Sequence, residues 1–444
     1  MIVPQTRLLF WAGCLLLPAS IVMAAEPSFS GGALAVGGVF VLIALIDAAL
    51  AFGRLDGISA SLPEIVRLTK DREGQIEVAI GNERGVARRL RLGLAFPPEI
   101  RSEFEDVATT LPSGAALSHV AWPCAGLKRG NHTIENVYLE TPSALGFWAI
   151  RRTASARSTV RVYPNVMRER KNLAALFLNK GMLGLHAQRQ VGKGREFDKL
   201  REYIPGDSYD DIHWKATAKR NRPITKVFQI ERTQEVYVVV DGSRLSARPV
   251  ELESETMTQL ERFITAAMIL GLVAERQGDL FGVLAFSDQV RAFVRAKNGK
   301  AHYSRCRDAL YALEPAMVNA DFGELFSFIR LRLRRRALLM FLTNLDDPVL
   351  AEDFVRNLDM LARHHLVLVN MLTPPDVDPL FTRPDVHAAD DLYRKLAGHI
   401  QWHKLRELET VLKRRGVSMS LLKNEMMCPQ LVSQYINVKR RQLL

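Results

Sequence analysis

Two groups of polar side chains in this chain of 444 residues stand where chemistry could be done. The first closes the β-branched run Val236-Tyr237-Val238-Val239-Val240, which stops at Asp241-Gly242-Ser243 with Ser246 close behind. A second apolar run, Ala337–Thr343, is followed by Asn344, Asp346 and Asp347, and Asp321 opens a helix between the two runs. An apolar strand ending in acids and hydroxyls is how the carboxyl edge of a parallel sheet presents ligands. Asp241 and Ser243 can equally cap the loop that follows them, through side-chain bonds to its backbone. The second group opens with Arg195, Glu196, Asp198, Lys199, Arg201 and Glu202. It turns at Pro205-Gly206-Asp207 and continues through Tyr209, Asp210, Asp211, His213, Trp214, Lys215, Lys219 and Arg220. His213 beside Asp211 suggests acid–base work, but no nucleophile stands at a recognisable spacing, and a structural histidine is the preferred reading. Gly192-Lys193-Gly194 lacks the spacer and the Lys-Ser/Thr ending of a phosphate loop, and the common hydrolase, zinc-protease and dinucleotide signatures are absent.

These residues need elements to hold them. The stretch from Gly194 onward is too polar for a core and too rich in Phe197, Tyr203, Tyr209, Trp214 and Phe228 for a linker. It is expected to be an ordered arm laid against the domain that begins at Val236. From there strands at 236–240, 280–286, 290–294, 337–343, 366–372 and 417–422 alternate with helices at 253–277, 303–313, 322–333, 349–362 and 390–415, and a last helix closes the chain. That alternation predicts an α/β fold, a Rossmann-like doubly wound sheet covered on both faces. From Ile58 to Pro164 the period is two instead: Ile76, Val78 and Ile80 alternate with Gln75, Glu77 and Ala79, as expected for a β-sandwich. Arg168 to Arg189 reads as a helix followed by a loop.

Ahead of the sandwich, Leu8–Ala25 and Ala33–Phe52 are apolar runs, the second long enough to cross a bilayer and carrying one charge, Asp47, near its end. Arg54, Arg67, Lys70 and Arg72 follow, while the loop 26–32 holds no basic residue, so the positive-inside rule puts the rest of the chain in the cytoplasm. A retained hairpin is preferred over a cleaved signal peptide ending near Ala25. The net charge of +12 points to acidic surroundings, a membrane surface before nucleic acid. Arg330, Arg332, Arg334, Arg335 and Arg336 read as a solvated helix terminus with a secondary attraction to lipid headgroups. Cys14, Cys124, Cys306 and Cys428 lie far apart, which argues against zinc or a disulfide framework and fits a reducing compartment.

The motifs G-REFD-LREY-PGD and IHWKATAKR, then the strand ending in DGS, resemble the bacterial family known as domain of unknown function fifty-eight. Lys128-Arg129-Gly130 and Thr141-Pro142-Ser143-Ala144-Leu145-Gly146-Phe147 extend the resemblance upstream. It implies a von Willebrand factor type A-like domain, commonly on a membrane anchor. Type A domains hold Mg²⁺ with an Asp-x-Ser-x-Ser loop, a distant Thr and a distant Asp, oxygen donors suited to a hard cation. Carried over, the ligand set is Asp241, Ser243, Ser246, Asn344 and Asp346. Leu245 stands where the second Ser belongs, Asp321 near the expected Thr, and Asn344 in place of the later Asp.

The chain is thus expected to comprise a membrane hairpin (1–54), a β-sandwich (55–165), a helix and charged arm (166–234) and a type A-like domain (235–444). The leading expectation is a non-enzymatic adaptor at the bacterial inner membrane, with the bulk of the chain cytoplasmic. The resemblance implies a MoxR-type AAA+ ATPase as partner. Arg195, Glu196, Arg201, Tyr203, Asp207, His213, Trp214, Lys215 and Arg220 are the expected partner-binding residues, their mixed signs favouring specificity over raw affinity. The rivals are a divalent-metal-dependent enzyme at Asp241 and Asp346, and a membrane-tethered nucleic-acid binder.

Overall fold

The computed structural model describes residues 1–25, 30–167, 169, 191–229, 234–252, 255–380 and 389–441. The chain divides into two compact units, Met1–Asn165 and Val166–Leu444.

The first unit opens with two apolar helices, α1 (Thr6–Ala25) and α2 (Ser30–Ala51), each long and apolar enough to cross a membrane. Their Leu, Ile and Val side chains are largely exposed. On α2, Phe40, Ala44, Asp47 and Ala51 are buried, Asp47 at 1% exposure. Its carboxylate accepts from the Ser143 hydroxyl (2.5 Å) and from the backbone N–H groups of Leu145 (3.0 Å) and Phe147 (3.3 Å). Trp148 Nε1 donates to the Ala44 carbonyl at 2.8 Å, and the Phe40 and Phe147 rings meet at 5.9 Å. The short strand Ile2–Pro4, ahead of α1, pairs antiparallel with Trp148–Ile150.

Two sheets enclose the core of this unit. One is six-stranded, built on the long antiparallel pair Gly130–Pro142 and Trp148–Tyr163; the other is four-stranded, built on Glu73–Asn82 and Leu117–Gly126. Alternation works as the period-two pattern demands: Ile76, Val78, Ile80, Leu92, Trp122, Val137 and Val160 are all fully buried.

The second unit is organised by a six-stranded sheet. Its strands are β1 (Glu235–Asp241), β2 (Leu280–Phe286), β3 (Val290–Lys297), β4 (Ala337–Leu342), β5 (Leu366–Leu372) and β6 (Ser418–Leu422). They lie in the order β3-β2-β1-β4-β5-β6, all parallel except the edge strand β3. Helices α3 (Gln259–Arg276), α4 (Lys300–Leu310), α5 (Phe322–Arg332), α6 (Pro348–Asn357), α7 (Ala389–Arg414) and α8 (Met427–Arg441) cover it. Helices α3, α4 and α8 pack on the face of Val236, Val238 and Val240; α5, α6 and α7 pack on the face of Tyr237 and Val239. On that second face Phe322, Phe326, Phe341 and Phe354 meet edge to face or tilted at 5.0–6.0 Å.

Several expected boundaries move. Helix α3 begins at Gln259 instead of Glu253, because the residues before it pair as a hairpin, Pro249–Leu252 with Glu255–Thr258. Thr258 caps the helix by accepting from Glu261 N–H at 3.2 Å, a hydroxyl at the extended residue just before the helix. The helix expected at 349–362 is two, Pro348–Asn357 and Asp359–Ala362. The helix expected within 168–189 lies outside the described residues.

Candidate functional site

The order of the strands reverses between β1 and β4, and Asp241 ends β1 at that switch point, where open α/β sheets place their ligands. Asp241 is fully buried. Its Oδ2 accepts from the Thr343 hydroxyl at 2.6 Å and its Oδ1 from Ser243 N–H at 2.8 Å. Burial raises the Asp241 pKa above the ordinary carboxyl value, opposed by the hydrogen bonds from Thr343 and Ser243 and from the backbone of Asn344. The capping alternative for Asp241 is therefore what the geometry contains, with Thr343 as its second partner.

Other polar side chains of the same rim have engagements of their own. Ser246 Oγ donates to the Ser243 carbonyl at 2.7 Å. Leu245 points into the core at 4% exposure, so the second Ser of a type A loop is replaced by a packing residue. Asp321 caps α5 by accepting from Glu324 N–H at 2.9 Å. Asp347 caps α6 through Val349 N–H at 3.0 Å and pairs with Arg244 at 3.3 Å. Asp346, whose side chain is 5% exposed, is bonded through Oδ2 to the guanidinium of Arg248. Arg244 also donates to Asn319.

Three buried polar atoms of the rim have no hydrogen-bond partner: Ser243 Oγ, Asn344 Nδ2 and Asp346 Oδ1. The amide of Asn370, on β5 beside Thr343, is buried and unpartnered at both its atoms. A divalent cation fits this donor set poorly. Each Asp241 oxygen already accepts a hydrogen bond, and Asp346 is already neutralised by Arg248. Among the described residues no group of three or more His, Cys, Asp or Glu side chains is gathered for a metal.

The charged arm is a hairpin of its own. Val191–Glu202 pairs with Ile224–Gln229, forming a two-stranded sheet separate from the six-stranded one. Arg195 and Glu196 lie on the first of these strands, and their side chains fall outside the described residues. Between the strands, Gly206 takes φ +109° in the turn after Pro205, a conformation open to glycine. Asp207 fastens that turn by accepting from Arg201 Nη2 (2.7 Å) and Ile204 N–H (3.1 Å). His213 Nδ1 accepts from Ala216 N–H at 3.1 Å and so caps the helix Trp214–Arg220, a structural role for this histidine.

The side chains left outside are the informative ones. Trp214 is 69% exposed, Tyr209 74% and Ile204 55%; Lys215 and Arg220 are exposed beside them. The Tyr203 and Tyr209 rings stack at 5.9 Å, and the neighbouring Tyr209 phenol pushes the Tyr203 pKa up.

Reading the sequence missed Thr343, Arg244, Arg248 and Asn370. Thr343 was adjacent to a chosen residue and open to discovery; Arg248 reaches Asp346 across 98 positions, a pairing no spacing rule contains.

Comparison with known proteins supplies a family match over part of the chain. Residues 199–380 match the family model described as "Protein of unknown function DUF58". This stretch takes in most of the hairpin arm and the sheet through β5. The chain is 24% identical over 198 residues to the uncharacterized protein Rv1480 of Mycobacterium tuberculosis (strain ATCC 25618 / H37Rv), covering 44% of this chain and 60% of that one. It is 26% identical over 222 residues to the uncharacterized protein YeaD of Bacillus subtilis (strain 168), covering 46% and 55%. The chain thus spans little more than half the length of these relatives. Among solved structures, an aerotolerance-related membrane protein from Bacteroides fragilis NCTC 9343 is similar at 14% identity, with a TM-score of 0.29, over 46% of this chain and 98% of that one.

Proposed function

We propose that this chain is a membrane-anchored, non-enzymatic adaptor whose arm and type A-like domain dock a protein partner at the bacterial inner membrane. The observation that carries the reading is the exposed aromatic group on an otherwise fastened arm. Trp214, Tyr209 and Ile204 stay in water while Asp207, His213 and the strand pairing hold the backbone beneath them. Large aromatics beside arginines on a preorganised surface are the usual anchors of protein interfaces. Residues 199–380, which carry this surface, are also the stretch that matches the family.

The doubly wound strand order, with one antiparallel edge strand, supports a type A-like domain. The two apolar helices support the anchor, and Arg54, Arg67, Lys70 and Arg72 after α2 support a cytoplasmic location for the rest. The buried thiols favour binding over catalysis. Burial pushes Cys124 up to about 11 and Cys306 and Cys428 up to about 12, the direction that disarms a nucleophile.

The partner we propose is a MoxR-type AAA+ ATPase, assembled with the adaptor to act on other membrane-associated proteins. The test is capture of that ATPase by the full chain from a detergent extract, with Trp214→Ala as the control. Truncating one anchoring Trp typically costs about 2 kcal/mol of binding, roughly a thirtyfold weaker affinity. Capture that is unchanged by Trp214→Ala, or absent with the wild-type chain, removes the reading.

A further inference from the structure

We propose that the strand-end rim is a metal-independent site, in which the Arg248 guanidinium supplies the positive charge that a divalent cation would otherwise bring. Asp241 has only the second lone pair of each oxygen left for such a cation. It is fully buried, and its two oxygens are taken by Thr343 and by the backbone of Ser243. Asp346 is the other acid held out of water at the rim, and Arg248 is bonded to it. The third, Asp347, divides its oxygens between the first turn of α6 and Arg244. The rim therefore carries its own counter-charges, placed by the turn that leads from Ser246 into the hairpin before α3.

The atoms still unsatisfied agree with this arrangement. The buried oxygens left without a partner there are Ser243 Oγ, Asp346 Oδ1 and Asn370 Oδ1. A hard cation needs about six oxygens around it, and the rim leaves three buried ones without partners. Arg248 itself is anchored at one end only. Its side chain is 41% exposed, so part of its fork of donors faces solvent while the rest holds Asp346.

This inference deepens the docking reading by stating how the rim is charged, yet its test uses no protein partner. Either can fail alone. The probe is Mn²⁺, titrated by calorimetry into the full chain in detergent, for the wild type, Asp346→Asn, Arg248→Met and the double variant. The wild type is expected to give no saturable heat at millimolar Mn²⁺, the same as Asp346→Asn. Arg248→Met uncovers Asp346 and is expected to bind, and adding Asp346→Asn is expected to abolish that binding. Saturable binding by the wild type that disappears in Asp346→Asn overturns the proposal, and this comparison stands even if Arg248→Met does not fold. A folded Arg248→Met chain that remains silent overturns it too, because Arg248 is then not what excludes the ion.

Discussion

A single carboxyl, Asp241, shows how two opposing terms are settled at the rim. Burial favours its neutral form, while donors from Ser243 and Thr343 favour the carboxylate; burial is the larger effect and the pKa rises. An acid whose native pKa stands above its unfolded value binds its proton more tightly when folded. The fold is then favoured at pH below the unfolded value, about 4, and loses that advantage as the pH climbs through the native value. Asparagine keeps an acceptor for Ser243 N–H and carries no charge to desolvate. Asp241→Asn is therefore expected to melt close to the wild type in acid and above it at neutral pH. Thermal melts of both chains across this range check it; a variant uniformly less stable at every pH would show that the hydrogen bonds, not burial, dominate.

At the scale of elements, the informative joint lies between α2 and the loop 143–147. Three donors from that loop converge on Asp47, and Ser143 Oγ in turn accepts from Gly146 and Trp148 N–H, both at 3.1 Å. A charge on an apolar helix is tolerable only where partners surround it, and this loop is that partner. The stretch Thr141–Phe147 drew attention in the sequence without a role; the structure makes it the receptor for a carboxylate 96 residues earlier. Hydrogen bonds to a charged group contribute about 1.5–3 kcal/mol each. Asp47→Ala is thus expected to speed amide exchange at Leu145 and Phe147 by roughly tenfold or more, read by hydrogen–deuterium exchange in lipid nanodiscs. Unchanged exchange at these two amides would mean the loop holds itself.

Across the whole molecule, the pairing of Ile2–Pro4 with Trp148–Ile150 means that the residues before α1 and those after α2 belong to one folded unit. A hairpin crossing a bilayer twice satisfies this; a helix removed by cleavage after Ala25 would take an edge strand with it. Cysteines introduced at Glu26 and at Asp56, in a Cys14→Ser background, are expected to label from opposite sides of sealed membrane vesicles. The remaining native thiols are buried and held protonated, so they contribute little label. Labelling of both positions from one side would refute the double crossing. The net charge of +12 also finds a structural place in the second unit. Arg276, Arg334, Arg335, Arg363, Arg414 and Arg415 all sit where a crossover helix ends and the next parallel strand begins, complementing the negative ends of the helix dipoles.

The local patterns in the sequence determined the elements. Runs such as Val236–Val240 and Ala337–Thr343 are buried on both faces and read as strands of a parallel sheet, and Ile76, Val78 and Ile80 read as one face of a half-buried one. These signals depend only on neighbours within a few positions, so the α/β alternation, the apolar pair of helices and Asp241 at a strand end were all legible. What only the tertiary structure decided is which distant loops meet. Arg248 with Asp346, Thr343 with Asp241 and Asp47 with Ser143 are each joined across about a hundred residues by the order of strands in a sheet or the seating of a helix. The first two engage acids of the rim with donors from other loops, because an acid takes the nearest donor in space and not the nearest in sequence.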